Sequence, residues 1–356
     1  MAQYEQSDSS REGFDLIIHG GTVVDGSGAP ARRADVGIRG DRIVAVGALD
    51  GAEAHQRLDA SGRVVAPGFI DAHTHDDRMV LSSPDMTAKL SQGVTSVIAG
   101  NCGVSLAPLV DTDPPPPLNL LGGREWFRYP TMAAYLDDVD RHPASVNIAC
   151  MVGHSTLRAG IMDRLDRPAS AAEIEHMAKR VDEAMDAGCI GMSTGLAYPP
   201  AINAPTEEVI SLAERVARRG GLYATHMRNE KEAVVESVRE TLEIGRRAGV
   251  PVVISHHKCS GRANFGLTRE TLALIERARA QQTVNLDVYP YTASSTVLLA
   301  EWVPAAERVL VTWSHSHPEC RGRDLAEIAS EWGLDIDSTC ARLQPAGAIY
   351  FQMDEA

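Results

Sequence analysis

The chain has 356 residues, of which 44% are hydrophobic and 23% are charged, and its formal net charge is −14. This is the composition of a globular protein, with enough length for one large α/β domain or two smaller ones. The negative charge disfavours nucleic acid and anionic membranes as partners, and the sequence contains neither a signal-peptide core nor an apolar run long enough to span a membrane.

The cysteines are scattered along the chain, without a CxxC pair. A chain of this length with so little cysteine clustering is not expected to depend on a disulfide framework. The pattern favours a reducing compartment, and we predict a cytoplasmic location. The six positions are Cys102, Cys150, Cys189, Cys259, Cys320 and Cys340.

The N-terminal part of the chain is predicted to be a polar, disordered segment (1–13) followed by a small β domain (14–66). The stretch "DLIIHGGTVVDG" reads as a hairpin that turns at Gly20-Gly21, and "DVGIRGDRIVAVG" reads as a second hairpin that turns at Gly40-Asp41. A segment this short forms a poor core alone, so we expect a β-sandwich-like unit that packs against another part of the protein.

From residue 67 onward, apolar strand patterns alternate with helical patterns. One helix is predicted to begin after a Ser170 N-cap, with Glu173 at the capping-box position, and to end at Gly188. Buried strands that alternate with helices indicate parallel βαβ units. The seven strand patterns are "FIDAH", "VTSVIAG", "SVNIACMVGH", "CIGMSTG", "LYATH", "VPVVISHH" and "VNLDVYP".

Seven such units favour a (β/α)₈ TIM-type barrel over a flat sheet, because polar residues recur at the strand ends where such barrels hold their active sites. We therefore predict that residues 67–356 form an incomplete barrel, without its last strand and the segments beyond that strand. The proline-rich stretch "DTDPPPPLNLLGG", from Asp111 to Gly123, is predicted to be a stiff loop over the barrel mouth.

A histidine pair follows the first barrel strand in "FIDAHTHDD". His73 and His75 are two residues apart, and this spacing places both side chains on one face of a strand. They could share a metal ion, or they could be hydrogen-bonded histidines at a strand end. The choice depends on what the other strands contribute.

Three further candidate ligands follow other strands. Cys102 lies in a glycine-flanked loop after the second strand, His226 ends the fifth, and His256 ends the sixth. Thiolate and imidazole are ligands of borderline-soft metals such as zinc. Since the carboxyl ends of parallel strands meet at one rim, we predict that these residues join the histidine pair in a metal site.

These motifs together resemble the N-acyl-D-amino acid deacylases, or D-aminoacylases, of the amidohydrolase superfamily. The resemblance runs from about Phe14 to the last residue and rests on "PGFIDAHTHDD", "GNCG", "STGLAYPP", "THMRNE", "SHHK" and "DVYPYTASST". It implies zinc-dependent hydrolysis of the amide bond of small N-acyl-D-amino acids, which yields a carboxylate and a free D-amino acid.

The resemblance also assigns the metal ligands. It implies a tight zinc site at Cys102, His226 and His256, and a second, weaker metal site at His73 and His75 that the cysteine could bridge. His257 is expected to support the site or the fold. His154, which ends the third strand, either orients the substrate or a ligand or is structural.

The same resemblance implies a site for the α-carboxylate of the substrate. A carboxylate buried in a barrel mouth needs charge-assisted donors, which lysine and tyrosine supply. "THMRNE" offers a further cation close to the site. The expected substrate-binding residues are Tyr198, Lys258, Tyr289, Arg228 and either Ser294 or Ser295.

The general base of the resembling enzymes is an aspartate on the eighth barrel strand, and no matching stretch occurs in the chain. We therefore expect this aspartate beyond residue 356, and we expect the chain alone to be weakly active or inactive. Two alternatives stay open: a cyclic-amide hydrolase such as a dihydroorotase or hydantoinase, and an inactive metal-binding fragment. The former would carry a carboxylated lysine, and no lysine stands in place of Cys102. The sequence does not indicate an oligomeric state.

Overall fold

A computed structural model describes residues 13–110 and 113–354. The chain divides into two compact units between Phe69 and Ile70, and each is described by itself. The segment predicted to be disordered lies outside the described residues except for Gly13, and so do the first two residues of the proline-rich stretch.

The N-terminal unit consists of two small β-sheets. A four-stranded sheet has the order β5-β4-β1-β6, and a three-stranded sheet has the order β3-β2-β7. The strands are β1 (Phe14–His19), β2 (Thr22–Val23), β3 (Arg32–Arg33), β4 (Asp35–Arg39), β5 (Arg42–Gly47), β6 (Ala54–Asp59) and β7 (Val64–Val65).

The second predicted hairpin is present and the first is wrong. Arg39 pairs with Arg42 across the turn between β4 and β5, and Gly40 adopts a φ of +58° that suits this two-residue turn. At the other site, β1 pairs with β4 and β6, whereas β2 belongs to the second sheet. The Gly20 N–H donates to the Asp35 carboxylate, so Gly20-Gly21 carries the chain from one sheet to the other.

The C-terminal unit is built on a seven-stranded sheet in the order β16-β15-β14-β13-β12-β9-β8. Its pairings from β9 to β16 are all parallel, and its strands match the seven predicted segments. They are β8 (Phe69–Asp71), β9 (Val94–Ala99), β12 (Asn147–Gly153), β13 (Gly191–Gly195), β14 (Leu222–His226), β15 (Val252–Ile254) and β16 (Val284–Leu286).

Helices cover the sheet between its strands. The predicted capping box of α5 is present: the Ser170 hydroxyl accepts from the Glu173 N–H, and the Glu173 carboxylate accepts from the Ser170 N–H. In the described parts of the chain, none of the helices is both long and apolar enough to cross a membrane. The helices are α1 (Met79–Ser82), α2 (Thr87–Leu90), α3 (Met132–Arg141), α4 (His154–Ile161), α5 (Ala171–Asp186), α6 (Thr206–Ala217), α7 (Val234–Ala248) and α8 (Thr268–Arg279).

The proline-rich stretch packs more closely than predicted. Leu118 and Leu121, in a short 3₁₀ helix after the prolines, are buried in the main core. A two-stranded ribbon of β10 (Leu109–Val110) and β11 (Arg128–Tyr129) flanks the stretch. Burial of apolar side chains is favoured over their exposure to water, so these leucines fasten the segment to the unit.

The last part of the chain is not a continuation of the βα pattern. It forms an antiparallel sheet of β17 (Ala293–Val297), β19 (Ala346–Phe351) and β18 (Arg308–Ser314), in that order, with α9 (Leu325–Trp332) and α10 (Ile336–Leu343). Alternate residues of β19 are buried in a core of this module's own, including Ala346, Ala348 and Tyr350. The predicted barrel segment 67–356 therefore includes a module with a different architecture.

Candidate metal centre

The five predicted metal ligands converge at the carboxyl ends of β8, β9, β14 and β15. The ligand atoms of Cys102, His226 and His256 lie within 4.8 Å of one another, and so do those of His73, His75 and Cys102. Cys102 belongs to both groups. The structure thus brings the predicted ligands together as two half-sites that share one thiol.

The first half-site has the spacing that zinc requires. The Cys102 Sγ lies 3.4 Å from the His256 Nε2, and Cys102 and His226 are both buried. Zinc–sulfur and zinc–nitrogen bonds in a tetrahedron place their two ligand atoms about 3.5 Å apart. A thiolate with two imidazoles at this distance fits a zinc ion whose fourth position is open.

Two ligands of this half-site have left-handed backbone conformations. Cys102 has a φ of +54° and His256 a φ of +38°, which few non-glycine residues adopt without support from their surroundings. The next residue, Gly103, donates its N–H to the Ser193 hydroxyl at 2.8 Å and approaches Gly195 so closely that a β-carbon would not fit. The His256 N–H donates to the Asp287 carboxylate at 2.7 Å.

The second half-site is more open. The His73 Nε2 lies 3.3 Å from the Cys102 Sγ, but His75 is exposed to solvent, and the ring centroids of the two histidines are 5.8 Å apart. Spacing on the His73 side therefore matches that of a second metal bridged by the thiolate. Exposure of His75 predicts weaker and more exchangeable binding.

A lysine fixes the segment that carries the histidine pair. The Lys89 ammonium on α2 contacts the Asp71 carboxylate at 2.7 Å and the Asp76 carboxylate at 3.1 Å. These carboxylates lie on either side of His73 and His75 in the chain, and the other Asp71 oxygen accepts the His73 N–H. The Asp71 carboxylate is thus bound to the lysine and to the backbone, which leaves it unavailable as a metal ligand.

The electrostatics of the cluster favour a thiolate. Burial would raise the pKa of Cys102, but the neighbouring His73 and His256 outweigh burial and lower it well below its ordinary value. Burial likewise would lower the pKa of His73, but the Cys102 thiolate and Asp287 raise it to about 10. Burial lowers the pKa of His226, which keeps that imidazole neutral. A thiolate beside imidazoles is a cluster that a divalent cation would neutralise.

Sequence reasoning did not single out Glu230, which lies behind the first half-site. Its carboxylate contacts the Lys258 Nζ at 2.7 Å and the His256 Nδ1 at 3.0 Å. Burial would raise the pKa of Glu230, but Lys258 and the histidines lower it. Glu230 follows His226 by four residues in "THMRNE", and an acid so close to a ligand was the available signal.

Asp287 was also missed as a member of the site. It directly follows β16, the edge strand farthest from β8 in the sheet order, yet its carboxylate lies 3.2 Å from the His73 Nδ1 beyond β8. The sheet therefore curves until its two edges approach at this rim. The first letter of "DVYPYTASST" was the signal for it, but only the curvature shows that it reaches the histidine.

Three of the predicted substrate-binding side chains lie around the first half-site. The ring of Tyr198 is 4.7 Å from the ring of His226, and the Lys258 Nζ is 5.6 Å from the centroid of the Tyr289 ring. Tyr198 shares a hydrogen bond with the Thr296 hydroxyl at 3.0 Å, whereas the buried Tyr289 hydroxyl has no protein partner among the described residues. Their role in substrate binding stays a prediction.

The other predicted substrate-binding residues are engaged differently. The Arg228 guanidinium is bound to Glu240 and to the carbonyls of Ile202 and Ala204, so its donors hold the fold together. Ser294 accepts a hydrogen bond from Gln352, and Ser295 is exposed on β17. Thr296, which was not predicted, is the residue of this strand that reaches Tyr198.

Two further histidines have structural partners. His154 is fully buried and lies 2.9 Å from Glu208, which also binds Arg158. The His257 Nε2 lies 2.9 Å from the Thr271 hydroxyl. Both residues thus have partners that support the fold beside the site.

Comparison with known proteins places this architecture among the amidohydrolases. Residues 56–332 match the model of the amidohydrolase family. The chain is 55% identical over 349 residues to a D-aminoacylase from Alcaligenes xylosoxydans xylosoxydans, an alignment that covers 98% of this chain and 72% of that protein. A solved D-aminoacylase structure, described with a binuclear metal centre, one-metal activation and second-metal attenuation, superposes with a TM-score of 0.94 at 55% identity and covers 96% of this chain and 72% of that one.

A second solved relative carries a ligand. The N-acyl-D-glutamate deacylase from Bordetella bronchiseptica, in complex with zinc and a phosphonate that mimics the tetrahedral intermediate, is 46% identical, has a TM-score of 0.93, and is matched over 97% of this chain and 73% of that one. An L-hydantoinase shares the fold at a TM-score of 0.54 and 17% identity over 78% of this chain. The predicted TIM-type α/β fold is confirmed, and the chain belongs to the amidohydrolase family, among its N-acyl-D-amino acid deacylases, or D-aminoacylases.

Proposed function

We propose that this protein is a zinc-dependent amidohydrolase that cleaves linear N-acyl-D-amino acids into a carboxylate and a free D-amino acid. The observation that carries the proposal is the buried thiolate–imidazole cluster, in which Cys102 lies 3.3 Å from one histidine and 3.4 Å from another. The ligand type and the relatives' chemistry agree on zinc. The chain has Cys102 where the cyclic-amide alternative would have a carboxylated lysine.

Cys102, His226 and His256 would hold the tight zinc ion, and His73 with His75 a second, weaker one. A zinc ion bound there would polarise the substrate carbonyl and lower the pKa of a water molecule. Burial of Cys102 and His226 limits the access of bulk water to the first half-site and strengthens the electrostatic contacts inside it.

The chain's own donors would orient the substrate. Lys258 and Tyr289 lie on one side of His256, and Tyr198 lies beside His226. A lysine ammonium and phenolic hydroxyls are suitable donors to a carboxylate, so these residues would bind the α-carboxylate. Glu230 holds Lys258 in place, which limits how far its ammonium can move toward the substrate.

Supporting features concern location and partners. The scattered cysteines are all unpaired and favour a cytoplasmic location, and the net charge of −14 disfavours nucleic acid and anionic membranes as partners. A small-molecule substrate is the partner that the site suits. Ser294, Ser295 and Arg228 remain weaker candidates, because their side chains are occupied or exposed.

The test is hydrolysis of matched N-acetyl-D- and N-acetyl-L-amino acids, followed by detection of the free amine. The protein is assayed as purified, after removal of metal with a chelator, and after addition of zinc. We expect weak cleavage of the D substrates, which disappears when the metal is removed and returns when zinc is added. Cleavage that survives chelation, or cleavage of hydantoins in place of linear amides, would contradict the proposal, and zinc binding without hydrolysis would favour the inactive metal-binding alternative.

A further inference from the structure

Asp287 has contacts to both halves of the candidate metal centre. Its backbone continues the pairing of β16 with β15, since its N–H donates to the Ile254 carbonyl at 3.1 Å and its carbonyl accepts from the His257 N–H at 2.8 Å. The residue is thus fixed at the rim by main-chain hydrogen bonds. Its carboxylate lies between His256 on the neighbouring strand and His73 on the opposite edge of the sheet.

The two carboxylate oxygens of Asp287 can serve different histidines. Oδ1 accepts the backbone N–H of His256 at 2.7 Å. The His73 Nδ1 lies 3.2 Å from both carboxylate oxygens, and its contact with Oδ2 is the one that has hydrogen-bond geometry. The first contact supports the left-handed backbone at φ +38° that directs the His256 ring toward Cys102. The second contact is made with the imidazole of His73, which belongs to the other half-site.

The contact with His73 decides which ring nitrogen carries the proton. A carboxylate accepts a hydrogen bond and cannot donate one, so the Nδ1 beside it must hold the proton. The His73 Nε2, which lies 3.3 Å from the Cys102 Sγ, is then the nitrogen that would give up its proton and bind a metal ion. A carboxylate behind a metal-binding histidine fixes the tautomer and orientation of the ring and increases its basicity as a ligand.

We propose that Asp287 is a positioning residue that links the two metal half-sites, through the backbone of His256 on one side and the imidazole of His73 on the other. It acts through these two histidines and not by contact with the reacting atoms. The inference rests on the proposed function, since it takes both half-sites to bind metal.

The geometry predicts that two substitutions at this position differ in effect. In Asp287→Asn the amide oxygen can still accept the His256 N–H, but the amide NH₂ then faces the His73 Nδ1 and drives the proton to Nε2. The variant should therefore weaken the second metal and spare the first. In Asp287→Ala both contacts are lost, and binding at both half-sites should weaken.

The experiment is a titration of the metal-free protein with Co²⁺, followed by its absorption spectrum and by competition with a chelator. We expect Asp287→Asn to lower the affinity for the second equivalent of Co²⁺ about 10–100-fold, because a metal-binding histidine loses its hydrogen-bond partner. The affinity for the first equivalent should change by less than about threefold. Asp287→Ala should weaken both. Asp337→Asn, which removes an exposed carboxylate on α10, should change neither.

The outcomes separate this inference from the proposed function. If the unmodified protein binds no Co²⁺ through its thiolate, the proposed function fails. If the unmodified protein binds two equivalents and Asp287→Asn binds both with unchanged affinity, the linking role is wrong. A uniform weakening of both equivalents in Asp287→Asn would also overturn it, since that is the result of general disruption, and circular dichroism establishes that each variant is folded.

Discussion

The two halves of the candidate metal centre share Cys102 but differ in how their residues are held in place. In the first half, Cys102 and His226 are buried and two of the ligands adopt left-handed backbones supported by Ser193 and Asp287. In the second half, His75 is exposed and its segment is fastened by the side chain of Lys89. Ligands that the backbone positions before metal binding lose little entropy on binding, so the first half should bind tightly and the second weakly.

Removal of a ligand from the first half should have the largest effect. His226→Ala should weaken zinc binding by far more than the about 10–100-fold that loss of a partner behind a ligand produces, because a direct ligand is absent. Zinc content after dialysis measures this. His257→Ala is the matched control, a buried histidine in the neighbouring loop that binds Thr271, and it should retain zinc. Equal loss of zinc from the two variants would contradict the assignment of His226, and not His257, as a zinc ligand.

A buried charge cluster beside the site should affect stability and not metal binding. Glu208 is fully buried between His154 and Arg158, and removal of one partner from a buried ion pair costs about 3–5 kcal/mol. Glu208→Gln should lower the free energy of unfolding by this amount in urea near neutral pH. Glu207→Gln, at an exposed neighbour on α6, should cost less than about 1 kcal/mol.

The pH dependence of this effect follows from the sign of the pKa shift. Burial would raise the pKa of Glu208, but His154 and Arg158 lower it below its ordinary value of 4.5. A carboxylate whose pKa is lower in the folded state contributes stability above its unfolded pKa and loses it as the pH falls through the folded pKa. The stability difference between the protein and Glu208→Gln should therefore shrink below pH 4.5, and a difference that grows in acid would contradict this assignment.

Loss of the Glu230 carboxylate, which contacts His256 of the first half-site, should have an intermediate effect on zinc affinity. Glu230 contacts the His256 Nδ1 and the Lys258 ammonium. Glu230→Gln should weaken zinc binding about 10–100-fold, measured by chelator competition, because the orientation of His256 is less strongly fixed. The exposed neighbour Glu232→Gln provides the control. If Glu230→Gln retained full zinc affinity, Glu230 would have no part in orienting the ligand.

Substitution of His75 in the second half-site should have the smallest effect on the tightly bound zinc ion. His75→Ala should leave the first zinc ion in place and abolish the second, because His75 lies outside the buried group of Cys102, His226 and His256. Calorimetric titration of the metal-free protein distinguishes the two events. Loss of the first zinc ion from this variant would show that the halves are not separate. His142→Ala, on the surface, serves as the control.

Much of the architecture could be predicted because it depends on local patterns. The seven parallel strands and the capping box at Ser170 follow from apolar runs and cap residues that neighbours in sequence specify. The convergence of the five ligands followed from the geometry of parallel strand ends. The prediction of a hairpin turn at Gly20-Gly21 was wrong, because β1 and β2 belong to different sheets. Which strands pair depends on residues far away in the sequence.

The unpredicted members of the site depend on contacts across the fold. Asp287 reaches His73 only because the sheet curves until its edges meet, and 214 residues separate the two in the chain. Arg228 was predicted from its motif to bind the substrate, but its guanidinium is paired with Glu240, 12 residues later in the chain. The sequence indicates which polar residues lie near a site. Their neighbours in the folded protein determine which of them are free to bind a metal or a substrate.

The measurement that tests the metal centre most directly is the absorption spectrum of the protein during titration with Co²⁺. A first equivalent bound by Cys102 should produce a thiolate-to-cobalt charge-transfer band that rises linearly and is absent in Cys102→Ser. A second equivalent should perturb this band if the thiolate bridges both halves. Cobalt binding without such a band, or a band that persists in Cys102→Ser, would contradict the assignment of Cys102 as the shared ligand.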